Sequence, residues 1–194
     1  DSAETHYVDF QDNFLKYSRD GAFYTEYDGD LIWNYTYEMD DPQIDVCGNY
    51  ILIYDVQGTQ AAILTNTGFK QTIKTAMPIV DANIASQGTV AILMQDGEAG
   101  YVQVCNDAGK VLASGELHMK NSGYPLAIAL SSTAQRLMVS QLDVKDGNVK
   151  TTISFYDFSN KGKDEIDNIV ATYSFSDQII PQIAYVDGDK AIAF

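Results

Sequence analysis

The sequence predicts an all-β chain: a β-propeller of about four to four and a half four-stranded antiparallel blades, belonging to a larger propeller. Three observations predict it. All four prolines open the same kind of phrase, Asp41-Pro42-Gln43-Ile44-Asp45-Val46, Met77-Pro78-Ile79-Val80-Asp81-Ala82, Tyr124-Pro125-Leu126-Ala127-Ile128-Ala129 and Ile180-Pro181-Gln182-Ile183-Ala184-Tyr185. Each is an apolar-rich run, followed by a turn and a second apolar run. Asp-Gly pairs such as Asp20-Gly21, Asp28-Gly29, Asp96-Gly97 and Asp146-Gly147 stand between strand-like runs, a strong short-range hairpin signal. The prolines lie 36, 47 and 56 residues apart, and repeats of about 40–50 residues holding four short strands mark propeller blades. Proline suits the first residue of a strand, where its missing N–H costs no ladder bond. The drift in spacing falls in turns, where insertions cost little.

Taken in order, residues 6–37 form a first unit without a leading proline. Its runs are Tyr7-Val8-Asp9-Phe10, Phe14 to Ser18, Ala22 to Tyr27 and Leu31 to Tyr37. Strand side chains alternate, so Leu31, Trp33, Tyr35 and Tyr37 are expected on one face. A second unit covers about 42–75, with strands at Gln43–Val46, Tyr50–Tyr54, Ala61–Leu64 and Phe69–Thr75. A third covers about 78–117 and a fourth about 125–175, and a partial unit of two strands occupies 181–194. Asp164 to Asn168 reads as a charged loop able to form one helical turn. No other helix is expected, because apolar residues rarely recur at intervals of three and four. The terminal half-unit has two ways to meet its strand edges. It pairs with the first strands and closes a small ring, or the chain is cut from a larger propeller; the second is the expectation. Open blade edges would favour self-association.

Charge bounds the partners. With 27 acidic and 12 basic residues the formal charge is −15, a field that repels nucleic acid and anionic membranes. At 45 % hydrophobic the chain can build a sizeable core. No apolar stretch approaches the ~20 residues of a membrane span. The chain begins at Asp1 without methionine or a signal-peptide pattern, so residue 1 is expected not to be a natural translation start. Cys47 and Cys105 lie in different units with no C-x-x-C spacing. They read as small buried hydrophobes, with a disulfide between them left open.

The runs Phe14 to Gly21, Asp28 to Asn34 and Asn121 to Leu126 resemble an uncharacterised family of membrane-anchored extracytoplasmic propellers of Gram-positive bacteria. That family is related in style to quinoprotein-like and WD40-like repeats, and the resemblance spans most of residues 6–194. It implies an extracytoplasmic, cell-surface domain whose N-terminal anchor and further blades are absent from this chain. It supplies no catalytic residues, and the Trp-Asp dipeptide of WD40 repeats is missing.

Chemistry-bearing motifs are sparse. His6 and His118 belong to different units without clustered ligands, so no metal site is read from them. Neither a G-x-S-x-G elbow nor a phosphate-binding glycine loop occurs. Asp143 to Asn148 offers oxygen ligands in a loop but lacks calcium-hand spacing, and reads as a hairpin turn. Asp40-Asp41 and Asp164, Glu165 and Asp167 are acidic clusters of the kind found in turns. No catalytic, cofactor-binding or metal residue is therefore assigned. The one candidate surface is aromatic: Trp33, Tyr35 and Tyr37, near Tyr24 and Tyr27. These rings suit either packing between blades or a face that binds a sugar or peptide. The expected function is a non-enzymatic extracytoplasmic module binding a protein or cell-wall glycan through its loops. The alternatives are a propeller enzyme acting on glycans through acidic residues at the central channel, and a cofactor-bearing quinoprotein-like module.

Overall fold

A computed structural model of the chain describes residues 4–159, 169–186, 188 and 190–194; the loop expected at 164–168 lies outside the described residues. Four sheets follow one another in sequence, each a four-stranded antiparallel meander. The first holds β1 (His6–Phe10), β2 (Asn13–Ser18), β3 (Gly21–Thr25) and β4 (Leu31–Thr36). The second holds β5 (Pro42–Cys47), β6 (Tyr50–Asp55), β7 (Gln60–Thr65) and β8 (Gly68–Lys74). The third holds β9 (Ile79–Ile84), β10 (Val90–Asp96), β11 (Ala99–Cys105) and β12 (Val111–Glu116). The fourth holds β13 (Tyr124–Leu130), β14 (Arg136–Lys145), β15 (Asn148–Asp157) and β16 (Ile169–Ser176), and β17 (Ile183–Val186) with β18 (Lys190–Ala193) forms a terminal hairpin.

Side-chain alternation makes each sheet two-faced, and the faces sort into separate cores. Ile51, Ile53, Ala62 and Leu64 of the second sheet pack against Leu15, Tyr17 and Tyr24 of the first and Met39 of the connection between them. Their alternates Leu52, Tyr54, Ala61 and Ile63 pack against Ile79, Ile84, Val90 and Ile92 of the third. The third sheet's other face, with Leu93, Val102 and Val104, meets Ile128, Leu137 and Val139 of the fourth. Ala127, Ala129, Met138 and Ile153 then meet Ile180 and Ile183 at the terminal hairpin. This explains why β6 and β10 read as unbroken apolar runs, since a strand covered on both faces has no polar side to show. At about 25 cal/mol per Å² of apolar surface removed from water, this face-to-face burial is the main force holding the sheets together.

The first strands of the second, third and fourth sheets lie innermost: β9 packs against β5 and β13, and β13 against β17. The last strands lie outermost, with β4 against β8. Pro42 opens β5, Pro78 stands one residue before β9, and Pro181 stands two before β17. Pro125 is the second residue of β13, where a bulge between Pro125 and Ala127 absorbs it. Backbone bonds also join neighbouring sheets. Gln57 N–H donates to Ile79 O and Ile79 N–H to Gly58 O, both at 2.8 Å. Both the N–H and Oγ of Ser86 donate to Ser132 O, at 3.0 and 2.8 Å.

Two expectations are corrected. A four-residue helix, α1 (Met119–Ser122), joins the third and fourth sheets. It is too short to show apolar periodicity, and it ends at Gly123, whose φ of 87° suits glycine. A side chain there would strike the backbone of Leu142. Leu31 does not share the face of Trp33 and Tyr35. The register shifts between Tyr24 and Thr25, so that Leu31 pairs with Thr25 and is turned to the opposite side. Both thiols are free, and they border one core: Cys105 lies within it and Cys47 packs against it. Burial pushes the Cys105 thiol up to about 11.

Ile53→Ala removes a fully buried side chain and is expected to cost about 2–5 kcal/mol. Leu112→Ala, at a side chain 56 % exposed, is expected to stay within about 0.5 kcal/mol of wild type. Denaturant unfolding of both variants checks the assignment; equal effects would contradict it.

Candidate binding surface

Two regions concentrate polar or aromatic groups. The first is the inner edge of the sheets, where β9 and β13 have a strand partner on one side only. Four N–H groups on these free edges are held by side chains. Asp45 Oδ2 of β5 accepts from Ile84 N–H at 2.8 Å. Asp81 Oδ2 of β9 accepts from Ile128 N–H at 2.9 Å, and its Oδ1 accepts from Ala82 N–H at 2.9 Å. Asn83 Oδ1 accepts from Leu130 N–H at 3.0 Å. Tyr54 completes the set, donating its hydroxyl to Asp81 Oδ1 at 2.9 Å. Tyr54, Asp81, Asn83 and Ile128 border a groove that also includes Gln43 and Gln182.

These carboxylates carry an electrostatic load. Burial pushes the Asp45 carboxyl up to about 6, against the pull of the Ile84 N–H, and neighbouring Asp81 adds to the rise. Burial also raises Asp81, opposed by the Ile128 N–H and the Tyr54 hydroxyl. The Tyr54 phenol is raised by burial and then by Asp81. The oxygens named above are engaged with this protein's own N–H and O–H groups, so the arrangement works as a clasp between sheets.

The second region is the seam between the outermost strands of the first two sheets. Tyr35 of β4 stacks on Phe69 of β8 with centroids 4.6 Å apart and planes 13° off parallel. Trp33 donates its indole N–H to Asn66 O at 3.0 Å and lies against Tyr24, with centroids 5.4 Å apart. Trp33 and Tyr35 are half-buried, while Phe69 is 48 % exposed. Tyr37 lies buried beneath them, 6.0 Å from Tyr35 between centroids. Burial and the adjacent Tyr17 hydroxyl push its phenol up. Trp33, Tyr35 and Tyr37 thus lie together at one seam, with two rings reaching the surface and one supporting them from below.

The other residues singled out in the sequence are dispersed. His6 stacks on Tyr17 with centroids 5.0 Å apart. His118 borders a small cavity between the third and fourth sheets with Glu116, Tyr156 and Phe158. Asp146 and Gly147, with φ of 51° and 80°, form the two-residue turn of the β14–β15 hairpin, and Lys145 pairs with Asp143 at 3.3 Å. Asp40 pairs with Arg19 at 2.7 Å on the surface. Among the described residues no three His, Cys, Asp or Glu side chains converge as metal ligands, and no helix is long and apolar enough to cross a membrane.

Asp45, Asp81 and Phe69 escaped the sequence reading. The two carboxylates did leave a signal, since each stands three residues after its proline, Pro42 and Pro78. Phe69 left none, because its pairing with Tyr35 is made by sheet packing.

Comparison with known proteins supports the architecture. The chain is similar to the Pan2 WD40 domain of Neurospora crassa, with a TM-score of 0.63 at 9 % identity, over 97 % of this chain and 57 % of that one. It is similar to the N-terminal domain of Nup159, with a TM-score of 0.54 at 13 % identity, over 91 % and 48 %. It is also similar to apo AztD from Citrobacter koseri, with a TM-score of 0.52 at 11 % identity, over 88 % and 49 %. The chain therefore spans about half the length of these structures, and at such identities the likeness is one of fold. No curated protein matches the sequence. The model of a family of unknown function (DUF5711) matches residues 1–194.

The inner clasp gives a pH prediction. The Asp45 carboxyl protonates at about 6 in the folded chain, against 3.8 ordinarily. Its contribution to stability is thus full below about pH 4 and is lost as pH rises through about 6. Asp45→Asn keeps an acceptor for Ile84 N–H without the charge. It is expected to raise Tm by about 2–6 °C near pH 7 and to change it little near pH 4. Thermal melts across that range check this; an equal loss of stability at both ends would contradict it.

Proposed function

The chain belongs to the family of unknown function DUF5711, and from that premise we propose that it is a non-enzymatic binding propeller. It engages a protein or cell-wall glycan through the aromatic seam at the outer edge of its first two sheets. The observation that carries this reading is the stacked pair Tyr35 and Phe69, with Trp33 beside it, presenting ring faces and edges on a rigid two-sheet junction. Aromatic rings held this way offer a large contact area at little cost in conformational entropy. Tyr37, buried below, fixes the height of the platform. Rigid sheets carrying a surface that recognises a partner are a common division of labour in such folds.

The reading extends to the setting implied by the sequence resemblance: an extracytoplasmic domain tethered to the cell surface. Localisation of the intact protein by cell fractionation tests that part independently.

Trp33 is the only tryptophan of the chain, so its fluorescence reports on the seam alone. Screening a glycan array and cell-wall fractions with the protein is expected to yield a ligand that shifts Trp33 emission. Phe69→Ala is expected to weaken binding by about tenfold, the loss of one aromatic contact of ~1 kcal/mol or slightly more. A ligand that binds without changing Trp33 emission, and equally well to Phe69→Ala, would contradict the assignment.

A further inference from the structure

The first sheet has a second face, turned away from the second sheet. Its cross-strand rows follow from the register. Val8, Leu15, Tyr24 and Trp33 form a row facing the second sheet. On the opposite face Tyr7, Lys16, Phe23 and Asn34 form one row, and Asp9, Phe14, Thr25 and Leu31 the next. Tyr7 is 68 %, Phe23 41 % and Leu31 57 % exposed. Lys16 lies over the Phe23 ring at 5.9 Å, and Tyr27 packs edge-on against Phe14 at 4.4 Å.

This face differs from those that receive another sheet. At the second strand of each later sheet, the face toward the preceding sheet carries aliphatic pairs with no exposure: Ile51 and Ile53, Val90 and Ile92, Leu137 and Val139. The first sheet places Phe14, exposed Lys16 and Ser18 there instead. A buried lysine at the centre of such a junction would be costly.

Its electrostatics select the occupant. Residues 4–41 hold ten carboxylates against Lys16 and Arg19, and Arg19 is already paired with Asp40. The β1–β2 and β3–β4 turns lie at the same end of the sheet. With the end of β1 they bring Asp9, Asp12, Glu26, Asp28 and Asp30 around Phe14, Tyr27 and Leu31. None of these five carboxylates forms an ion pair among the described residues. A second copy of this chain would bring a charge of −15 toward them, and nucleic acid would bring phosphates, so both are repelled.

We propose that the outer face of the first sheet, Tyr7, Phe14, Phe23 and Leu31 with these carboxylates gathered at one end, docks a basic, apolar peptide segment of a partner protein. This surface is separate from the aromatic seam, on the other side of the same sheet. Its apolar rows take alternate side chains of the segment, and its acidic end takes lysines or arginines of the same segment.

The test uses the whole chain and two fluorescent peptides of equal length, one alternating lysine and leucine and the other glutamate and leucine, followed by anisotropy. The lysine peptide is expected to bind and the glutamate peptide not to. Affinity is expected to fall by about tenfold from low to high salt, and by about tenfold on Asp28→Lys with Asp30→Lys. Tyr7→Ser with Phe23→Ser is expected to abolish binding, while Asp96→Lys with Glu98→Lys, on the third sheet, leaves it unchanged. Equal binding of both peptides, no binding of either, or equal losses at the third sheet would overturn the proposal. A dimer that Tyr7→Ser with Phe23→Ser dissolves would also overturn it, since the occupant would then be a second copy. Thermal melts establish that each variant is folded; if the serine pair is not, the two charge-reversal variants decide the question.

Discussion

A strand that lines the inner edge of a propeller has a neighbour on one side only. Its other row of N–H groups points toward the axis, where neighbouring sheets crowd in and water is partly excluded. A buried N–H left without an acceptor costs about as much as a lost hydrogen bond. In this chain side chains meet that requirement. Asp45 takes the Ile84 N–H, Asp81 takes those of Ala82 and Ile128, and Asn83 takes that of Leu130. Three of these four bonds cross from one sheet to the next. They satisfy the edge and fix the height at which each sheet stands against its neighbour. The accompanying penalty is the desolvation of two carboxylates, which is why both resist ionisation.

The same constraint separates the committed inner edge from the surface proposed for binding. Near the axis, the named polar atoms are committed to backbone partners and to Tyr54. Further out, β4 and β8 meet at the margin of the core, and there Trp33, Tyr35 and Phe69 are only partly covered. Most of the apolar burial between the sheets comes from fully buried aliphatic side chains, with Trp33 and Tyr35 packed at its margin. On the proposed reading, substitutions at the outer seam act mainly on recognition, whereas substitutions among Ile51, Ile53 and Ile63, all fully buried, act on folding.

Much of the architecture was legible because it is local. Alternation within a strand, turns such as Gly97 and Gly147 with positive φ, and a proline near the first strand of every later unit are all local signals. What was not legible depends on contacts distant in sequence or on small irregularities. The bulge that turns Leu31 away from Trp33 shifts a register by one residue, and no residue type announces it. The helix Met119–Ser122 is a single turn without apolar periodicity. Trp33, Tyr35 and Tyr37 were visible as an aromatic concentration, but Phe69 comes from another sheet and had no sequence link to them. Asp45 and Asp81 kept a constant offset from their prolines. Their role emerges only when the next sheet supplies the N–H groups that they hold.

Amide hydrogen exchange measures this account most directly, because it reads the inner-edge N–H groups one at a time. Protection of Ile84, Ile128 and Leu130 is predicted to match that of ladder amides within the same strands, and Asp45→Ala is predicted to release Ile84 while sparing Ile128. Free exchange at these three amides in the wild-type protein, or uniform loss of protection across β9 and β13 in the variant, would contradict it.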